Sequence, residues 1–198
     1  MNKASRQMPD KVTHTYDPHG PFLANICDLS HEEAEKVLQR IRDTGHRAIK
    51  TNYLRRRHET ENWLIRERHR LLGHTQRMRP IYFFLGNFAD GKDHSRPNSL
   101  VMPLTAFPKG TITFTFPDSM ASLPIATHKK YEFERQPYHG QVFSLEEIRH
   151  VIAKFGMPNE SWAVDPRRRF DRFVEVQVWD DRPIVEYLRG LEAIAHNG

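Results

Sequence analysis

The 198-residue chain contains a single cysteine, Cys27. One cysteine excludes an intrachain disulfide and a four-cysteine zinc site. No apolar run reaches the length of a transmembrane helix, and the residues after Met1 are polar and lack the apolar core of a secretory signal. We therefore expect a cytoplasmic protein that has no membrane partner.

Several common catalytic and cofactor motifs are also missing. The sequence has neither the GxxxxGK[ST] phosphate loop nor a GxGxxG turn after a strand, which disfavours ATP and Rossmann dinucleotide sites. His58-Glu59 is not followed by the second histidine of an HExxH zinc site. There is no GxSxG elbow, and Cys27 has no identifiable partner base. We expect no bound metal.

What the chain does have is a basic surface and enough apolar residues for one core. The chain has 30 Lys and Arg and 25 Asp and Glu, which gives a net charge of +5, and hydrophobic residues make up 38% of it. Basicity of this kind fits a phosphate-bearing cofactor, a nucleic acid or both, although many ordinary enzymes carry a similar charge. We expect a flexible N-terminal tail over residues 1–20 and a single domain over residues 21–198.

Capping signals and hydrophobic periodicity predict the helices. Ser30 with Glu33 and Ser144 with Glu147 form capping boxes, and apolar residues recur at helical spacing after each. The first of these helices should end at Gly45. The predicted helices cover residues 30–45, 52–72, 144–156 and 184–194.

Apolar and β-branched runs predict the strands, over residues 22–28, 81–85, 100–104, 111–116 and 173–179. A polar loop is expected over residues 87–98. Helices should lie mainly in the N-terminal third and pack on a mixed or antiparallel β core, which makes the fold α+β rather than a regular βαβ alternation.

The second helix has a polar middle section with two possible interpretations. Arg55 with Glu59, and Arg57 with Glu61, stand at the i,i+4 spacing of helical ion pairs. These pairs could form a solvated face, or one arginine could line a polar cleft.

The segment FVEVQVWD is the most informative in the chain. Alternation places its three valines on one face of a strand, and Glu175 and Gln177 on the other between two aromatic residues. A carboxylate between aromatics can be a salt-bridged structural group or a catalytic group in a cleft.

Several segments in order resemble the DarT family of DNA ADP-ribosyltransferases, which are toxins that modify single-stranded DNA with NAD. The segments are IYFFLGN, NSLVMPLTAF, TITFTFPDSMAS and RFDRFVEVQVWDDRPIVEYL. The FTD-like element is Phe116–Ala121, and the late strand carries Glu175 with Pro183-Ile184 after it. The family's early histidine has no counterpart in the segment that contains Phe22 and Asn25.

The resemblance implies a catalytic domain of ADP-ribosyltransferase type, with NAD as co-substrate. Glu175 would stabilise the transition state, Gln177 would orient substrate and His128 would contact the acceptor. The resemblance also implies a nucleic-acid partner, and an antitoxin or immunity protein is possible. The implied cofactor contacts are Tyr53, Arg55, Arg56, Arg57, Tyr82 and Phe84, with Arg79 a further candidate for the pyrophosphate, and the implied substrate contacts are Asp118, Ser119, Arg167, Arg168 and Arg169.

Two other functions stay open at this point. The arginine runs and aromatic residues could belong to a non-catalytic nucleic-acid-binding protein. Alternatively, Glu175, Asp118 and a histidine could serve a metal-dependent nuclease.

Overall fold

A computed structural model describes residues 5–17, 22–45, 48–86 and 96–196. The fold is α+β, as the sequence predicts: six helices accompany one open sheet of six strands. The strands are β1 (Lys11–Tyr16), β2 (Ile81–Leu85), β3 (Asn98–Pro103), β4 (Ile112–Thr115), β5 (Val142–Phe143) and β6 (Glu175–Val178). The helices are α1 (His31–Asp43), α2 (Tyr53–Leu72), α3 (Ser119–Thr127), α4 (Leu145–Phe155), α5 (Glu160–Ala163) and α6 (Arg182–His196).

The strand order is β3-β1-β2-β6-β4-β5, and every described pairing is antiparallel. Both faces of the sheet are covered. One face carries the main core, in which Phe83 and Val176 pack against Ile148 of α4 and Ile184 of α6. The other face lies under α2, where Trp63 and Leu64 pack with Trp179. The continuous apolar run of β2 matches this double coverage.

The capping boxes of α1 and α4 are both present. Ser30 and Ser144 accept hydrogen bonds from the backbone N–H groups of Glu33 and Glu147, and the two glutamates bond back to the cap residues. Helix α2 ends before Gly73, also as predicted. None of the described helices combines the length and the apolar character that crossing a membrane requires.

Three predictions about local structure are wrong. Residues 11–16, assigned to the tail, form β1, because β2 and β3 pair with both edges of this segment. The segment 22–28 contains a 3-10 turn, Ile26–Asp28, instead of a strand, because the Asn25 side chain caps it. The helices do not lie mainly in the N-terminal third, because four of the six, α3 to α6, come after it. Of these four, α3 and α5 were not predicted. Residues 1–4 and 18–20 of the expected tail, and 87–95 of the expected loop, lie outside the described residues.

Candidate functional site

Glu175 opens strand β6 on the face of the sheet that α2 and α3 cover. It pairs with Phe84 of β2 and Thr115 of β4, and its neighbour Gln177 pairs with Tyr82 and Thr113. The valines of the same segment are completely buried in the main core. The alternation predicted for FVEVQVWD is therefore confirmed, and Glu175 points away from that core with only 6% of its surface exposed.

A buried chain of hydrogen bonds orients the Glu175 carboxylate. Trp179 Nε1 donates to Thr113 Oγ1 at 2.8 Å, and Thr113 Oγ1 donates to Gln177 Oε1 at 2.9 Å. Gln177 Nε2 then donates to Glu175 Oε1 at 2.9 Å and to Thr115 Oγ1 at 3.0 Å. Gln177 is fully buried and its polar atoms are occupied, so in this structure it positions Glu175.

A second carboxylate, Asp118, lies beside Glu175 at the start of α3. The N–H of Ser119 donates to Glu175 Oε1 at 3.2 Å, while Asp118 caps α3 by accepting from the N–H of Ala121 at 3.0 Å. Burial, together with the charge of Glu175, raises the pKa of Asp118 to about 7. Asp118 therefore exchanges a proton near neutral pH, as a general acid or base must.

Arg57 lies behind this pair, in a buried network centred on Glu61. Its guanidinium stacks over the Tyr82 ring at 3.8 Å, and its Nε lies 3.4 Å from Glu61 Oε1. Glu61, which has no exposed surface, also accepts from Tyr82 Oη at 3.0 Å and from Arg79 Nη1 at 2.9 Å. Burial lowers the pKa of Arg57, but nearby tyrosines and carboxylates, Glu175 among them, outweigh it and raise that pKa. The guanidinium thus remains a fixed positive charge near Glu175.

A cavity of about 270 Å³ opens beside Asp118, between α3 and the start of α2. Arg56 spans its wall and donates from Nη2 to the carbonyl of Met120 at 3.4 Å. The volume lies just below the roughly 300–1,000 Å³ of typical ligand pockets, which suits a part of a dinucleotide. The cavity is lined by Ala48, Ile49, Lys50, Tyr53, Arg56, Asp118, Met120 and Ala121.

No family model, no curated protein and no solved structure matches this chain. The resemblance to the DarT family therefore depends on the residues quoted from the sequence. Of these, Glu175, Asp118 and Ser119 are in contact or close neighbours in the structure, with Tyr53 and Arg56 at the adjoining cavity.

The cluster of three arginines on α2 divides into three different environments. Arg55 is exposed and pairs with Glu59 at 2.6 Å, away from the cavity. Arg56 lines the cavity, and Arg57 is buried. The polar section of α2 therefore contains both a solvated ion pair, Arg55 with Glu59, and an arginine that lines a cleft, Arg56. Of the four arginines considered for the pyrophosphate, Arg56 is the one that lines the cavity, whereas Arg79 is paired with Glu61. Arg56 is therefore the preferred candidate.

Three other expected contacts lie in different surroundings. Phe84 is buried against Phe173, with ring centroids 5.9 Å apart, so it packs in the protein interior next to Glu175. His128 caps the far end of α3, ten residues after Asp118, and a rise of 1.5 Å per residue places it roughly 15 Å away. The structure thus separates His128 from Glu175. The run 167–169 lies in a turn before β6 and does not line the cavity.

The first strand contains a histidine, in a segment that was expected to be a tail. His14 lies on β1, and its Nδ1–H donates to the carbonyl of Tyr82 at 2.8 Å. Its ring contacts Phe83, on the face of the sheet opposite to Glu175. His14 is therefore not a member of the carboxylate site.

Some residues that build the site, among them Lys50 and Thr113, were not predicted from the sequence. Lys50 lines the cavity, but it lies in an irregular segment that carries no periodic signal. Glu61 was expected only as the i,i+4 partner of Arg57, and its burial and its bonds to Tyr82 and Arg79 were not predicted. Thr113 could have been found from the alternation of β4, which places it on the same face as Gln177.

Proposed function

We propose that the protein is an NAD-dependent ADP-ribosyltransferase that acts on nucleic acid, as a toxin or a defence effector. The observation that carries the proposal is the pair of carboxylates, Glu175 held rigidly and Asp118 with a pKa of about 7, next to a cavity with basic and aromatic walls. Transfer of a glycosyl group through a positively charged transition state commonly uses two carboxyl groups in different roles.

The residues of the cavity suit the pyrophosphate and one base of NAD. Arg56 and Lys50 are cations on its wall, and a guanidinium can bond two phosphate oxygens at once. Tyr53 offers a ring on which a nucleotide base can stack. These contacts would direct the nicotinamide ribose toward Asp118 and Glu175.

The reaction breaks the bond between C1′ of the ribose and the nicotinamide nitrogen, and the bonding electrons leave with nicotinamide. Glu175 would stabilise the positive charge that develops on the ribose. The acceptor atom then bonds to C1′, and its proton passes to the Asp118 carboxylate, which is suited to this role because its pKa is close to neutral. Arg57 would hold a fixed positive charge close to Glu175 throughout.

The first test replaces Glu175 by glutamine. Protein is incubated with NAD labelled in its adenylate phosphate and with single-stranded DNA, single-stranded RNA or protein. We expect wild type to label nucleic acid and Glu175→Gln to lose at least about 100-fold of that rate, the lower end of the effect of a positioned acid or base. Glu59→Gln, on the exposed face of α2, serves as the matched control.

The outcomes separate the competing functions. Near-normal transfer by Glu175→Gln would refute the assignment of the site, and label on protein alone would refute the acceptor class. Magnesium-dependent strand cleavage without transfer would favour the nuclease, although the described residues contain no group of three or more His, Cys, Asp or Glu placed to hold a metal. Salt-dependent binding without either reaction would favour a non-catalytic binding protein.

The second test compares two neighbouring arginines. Arg56→Ala should weaken NAD binding about 10- to 100-fold, because a hydrogen bond to a charged group contributes roughly 1.5–3 kcal/mol. Arg55→Ala should have no effect, since Arg55 is exposed and paired with Glu59. Isothermal titration calorimetry measures both affinities. Equal affinities for the two variants would remove Arg56 from the cofactor site.

A further inference from the structure

Two basic segments meet on the surface beyond the far end of α3. The first, residues 129–136, contains two lysines and two aromatic residues, and the second is the turn 165–172. Arg169 Nη2 donates to Glu134 Oε1 at 2.5 Å, and the Tyr131 and Phe170 rings lie 5.5 Å apart. The two segments therefore form one continuous surface rather than two separate loops.

Two aromatic rings on this surface have cations beside them: Phe133 is exposed and Tyr131 is half-buried. Phe133 is 61% exposed, and the Arg167 guanidinium lies 5.4 Å from its ring centre. Lys130 Nζ lies 4.8 Å from the centre of the Tyr131 ring. We call Lys129, Lys130, Tyr131, Phe133 and Arg167 the basic–aromatic surface.

The three cations of this surface differ from the neighbouring arginines. Arg168 turns inward, with its guanidinium 4.1 Å from the Trp162 ring centre, and Arg169 is paired with Glu134. Within the described part of the chain, Lys129, Lys130 and Arg167 form no ion pair, and all three are exposed. Their charges are thus available to an anionic partner.

Helix α3 connects the basic–aromatic surface rigidly to the carboxylate site. Asp118 begins the helix, and at its other end Arg135 donates to the carbonyl oxygens of Ile125 at 3.0 Å and His128 at 3.3 Å. In addition, the N–H of Gly140 donates to Ser122 Oγ at 2.9 Å. The surface and the site are therefore held about one α3 length apart, roughly 13 Å.

We propose that the basic–aromatic surface binds single-stranded nucleic acid, with unpaired bases stacking on Phe133 and Tyr131 and with Lys129, Lys130 and Arg167 contacting phosphates. Rings interleaved with cations are the combination that single strands require, because a ring can stack only on a base that is not already paired. Only the course of the strand rests on the proposed function: the bound strand would extend along α3 toward Asp118 and would itself be the acceptor.

The test measures binding without NAD, by fluorescence anisotropy, with labelled oligonucleotides of about 12 nucleotides, within the range of roughly 4–16 per site. Phe133→Ala should weaken binding of single-stranded DNA or RNA about 5- to 150-fold, the effect of losing one stacked base. Phe133→Trp should retain binding. Met78→Ala, which truncates another exposed apolar side chain, is the matched control and should bind as wild type does.

A second variant tests the phosphate contacts. Arg167→Gln should lower the slope of log affinity against log salt by about 0.7, the value for one phosphate contact on a single strand. Arg189→Gln removes an exposed arginine from α6 and should leave the slope unchanged. Comparison of DNA with RNA strands shows which source of single strands is preferred, and a duplex of the same sequence should bind more weakly.

Two results would overturn the proposal: Phe133→Ala binding like Met78→Ala, or a duplex binding as tightly as its single strands. These outcomes are distinct from failure of the proposed function. If no transfer occurs but Phe133→Ala weakens binding, the surface stands and the enzyme assignment falls. If Glu175→Gln abolishes transfer while Phe133→Ala and Arg167→Gln bind normally, the proposed enzymatic function is supported and the proposed nucleic-acid-binding role of the basic–aromatic surface is refuted.

Discussion

Replacing Asp118 by asparagine should stabilise the protein at neutral pH and leave its stability unchanged in acid. In the unfolded chain this carboxyl group loses its proton near the ordinary pKa of 3.8, whereas the folded protein holds the proton up to a pKa of about 7. Between these two values the folded state binds more protons than the unfolded state. Raising the pH through this window therefore favours unfolding.

The magnitude follows from the size of the shift. One pKa unit corresponds to about 1.4 kcal/mol, so a shift from 3.8 to about 7 sets an upper limit of roughly 4 kcal/mol. Asp118 faces an open cavity, where solvent reduces the effect, so we expect about 2 kcal/mol at pH 8. Asparagine is as good a helix cap as aspartate, so the bond to Ala121 should survive the substitution.

Urea unfolding at several pH values, followed by tryptophan fluorescence, measures the free energy of unfolding for both proteins. The two curves should coincide below about pH 4 and separate as the pH rises toward 7. Asp118→Ala is a useful third protein, because it loses the cap, about 1 kcal/mol, at every pH. Parallel curves for wild type and Asp118→Asn would refute the argument that Asp118 is desolvated and close to Glu175.

Two further predictions concern stability and use the same unfolding assay. Glu61→Gln should lower the free energy of unfolding by about 3–5 kcal/mol, because it leaves the buried Arg57 and the partly buried Arg79 without their counter-charge. The control, Glu59→Gln, should change that free energy by less than about 1 kcal/mol. Equal effects of the two substitutions would contradict the buried network. Gly140→Ala should lower the free energy of unfolding by about 3 kcal/mol, because φ is +72° and the new Cβ would lie 2.3 Å from Ala126 Cβ. At Gly73 φ is +69° but the space is open, so Gly73→Ala should cost only about 1 kcal/mol. A loss at Gly140 no larger than the loss at Gly73 would refute the steric argument.

Elements with local signals were predictable from the sequence. Helices α1 and α4 carry their own capping boxes, and α2 carries a glycine at its end, so each is specified by adjacent residues. Helix α3 was missed because Pro124 interrupts it and its apolar residues do not form one stripe. Asp118 was the available signal, as a cap residue before a short helix.

The candidate site was predictable only where it follows the period of a strand. Alternation along β6 identified Glu175, because one face of that strand is all valine. The same reasoning could not separate Arg55–Glu59 from Arg57–Glu61, since both pairs have identical spacing and only packing against Tyr82 buries the second. The pKa of Asp118 likewise depends on Glu175, 57 positions later in the chain, and such proximity is a property of the fold.

The position of β1 has a consequence for how the chain reaches its folded state. This strand precedes the other described strands in sequence, yet it lies between β2 and β3, and its partners extend to Pro103. Its partner residues in β2 follow about 70 residues later and those in β3 roughly 80–90 residues later, and contacts this distant in sequence slow folding. An N-terminal deletion through residue 16 would also leave β3 without its only described strand neighbour, so the start of the chain is an integral part of the sheet.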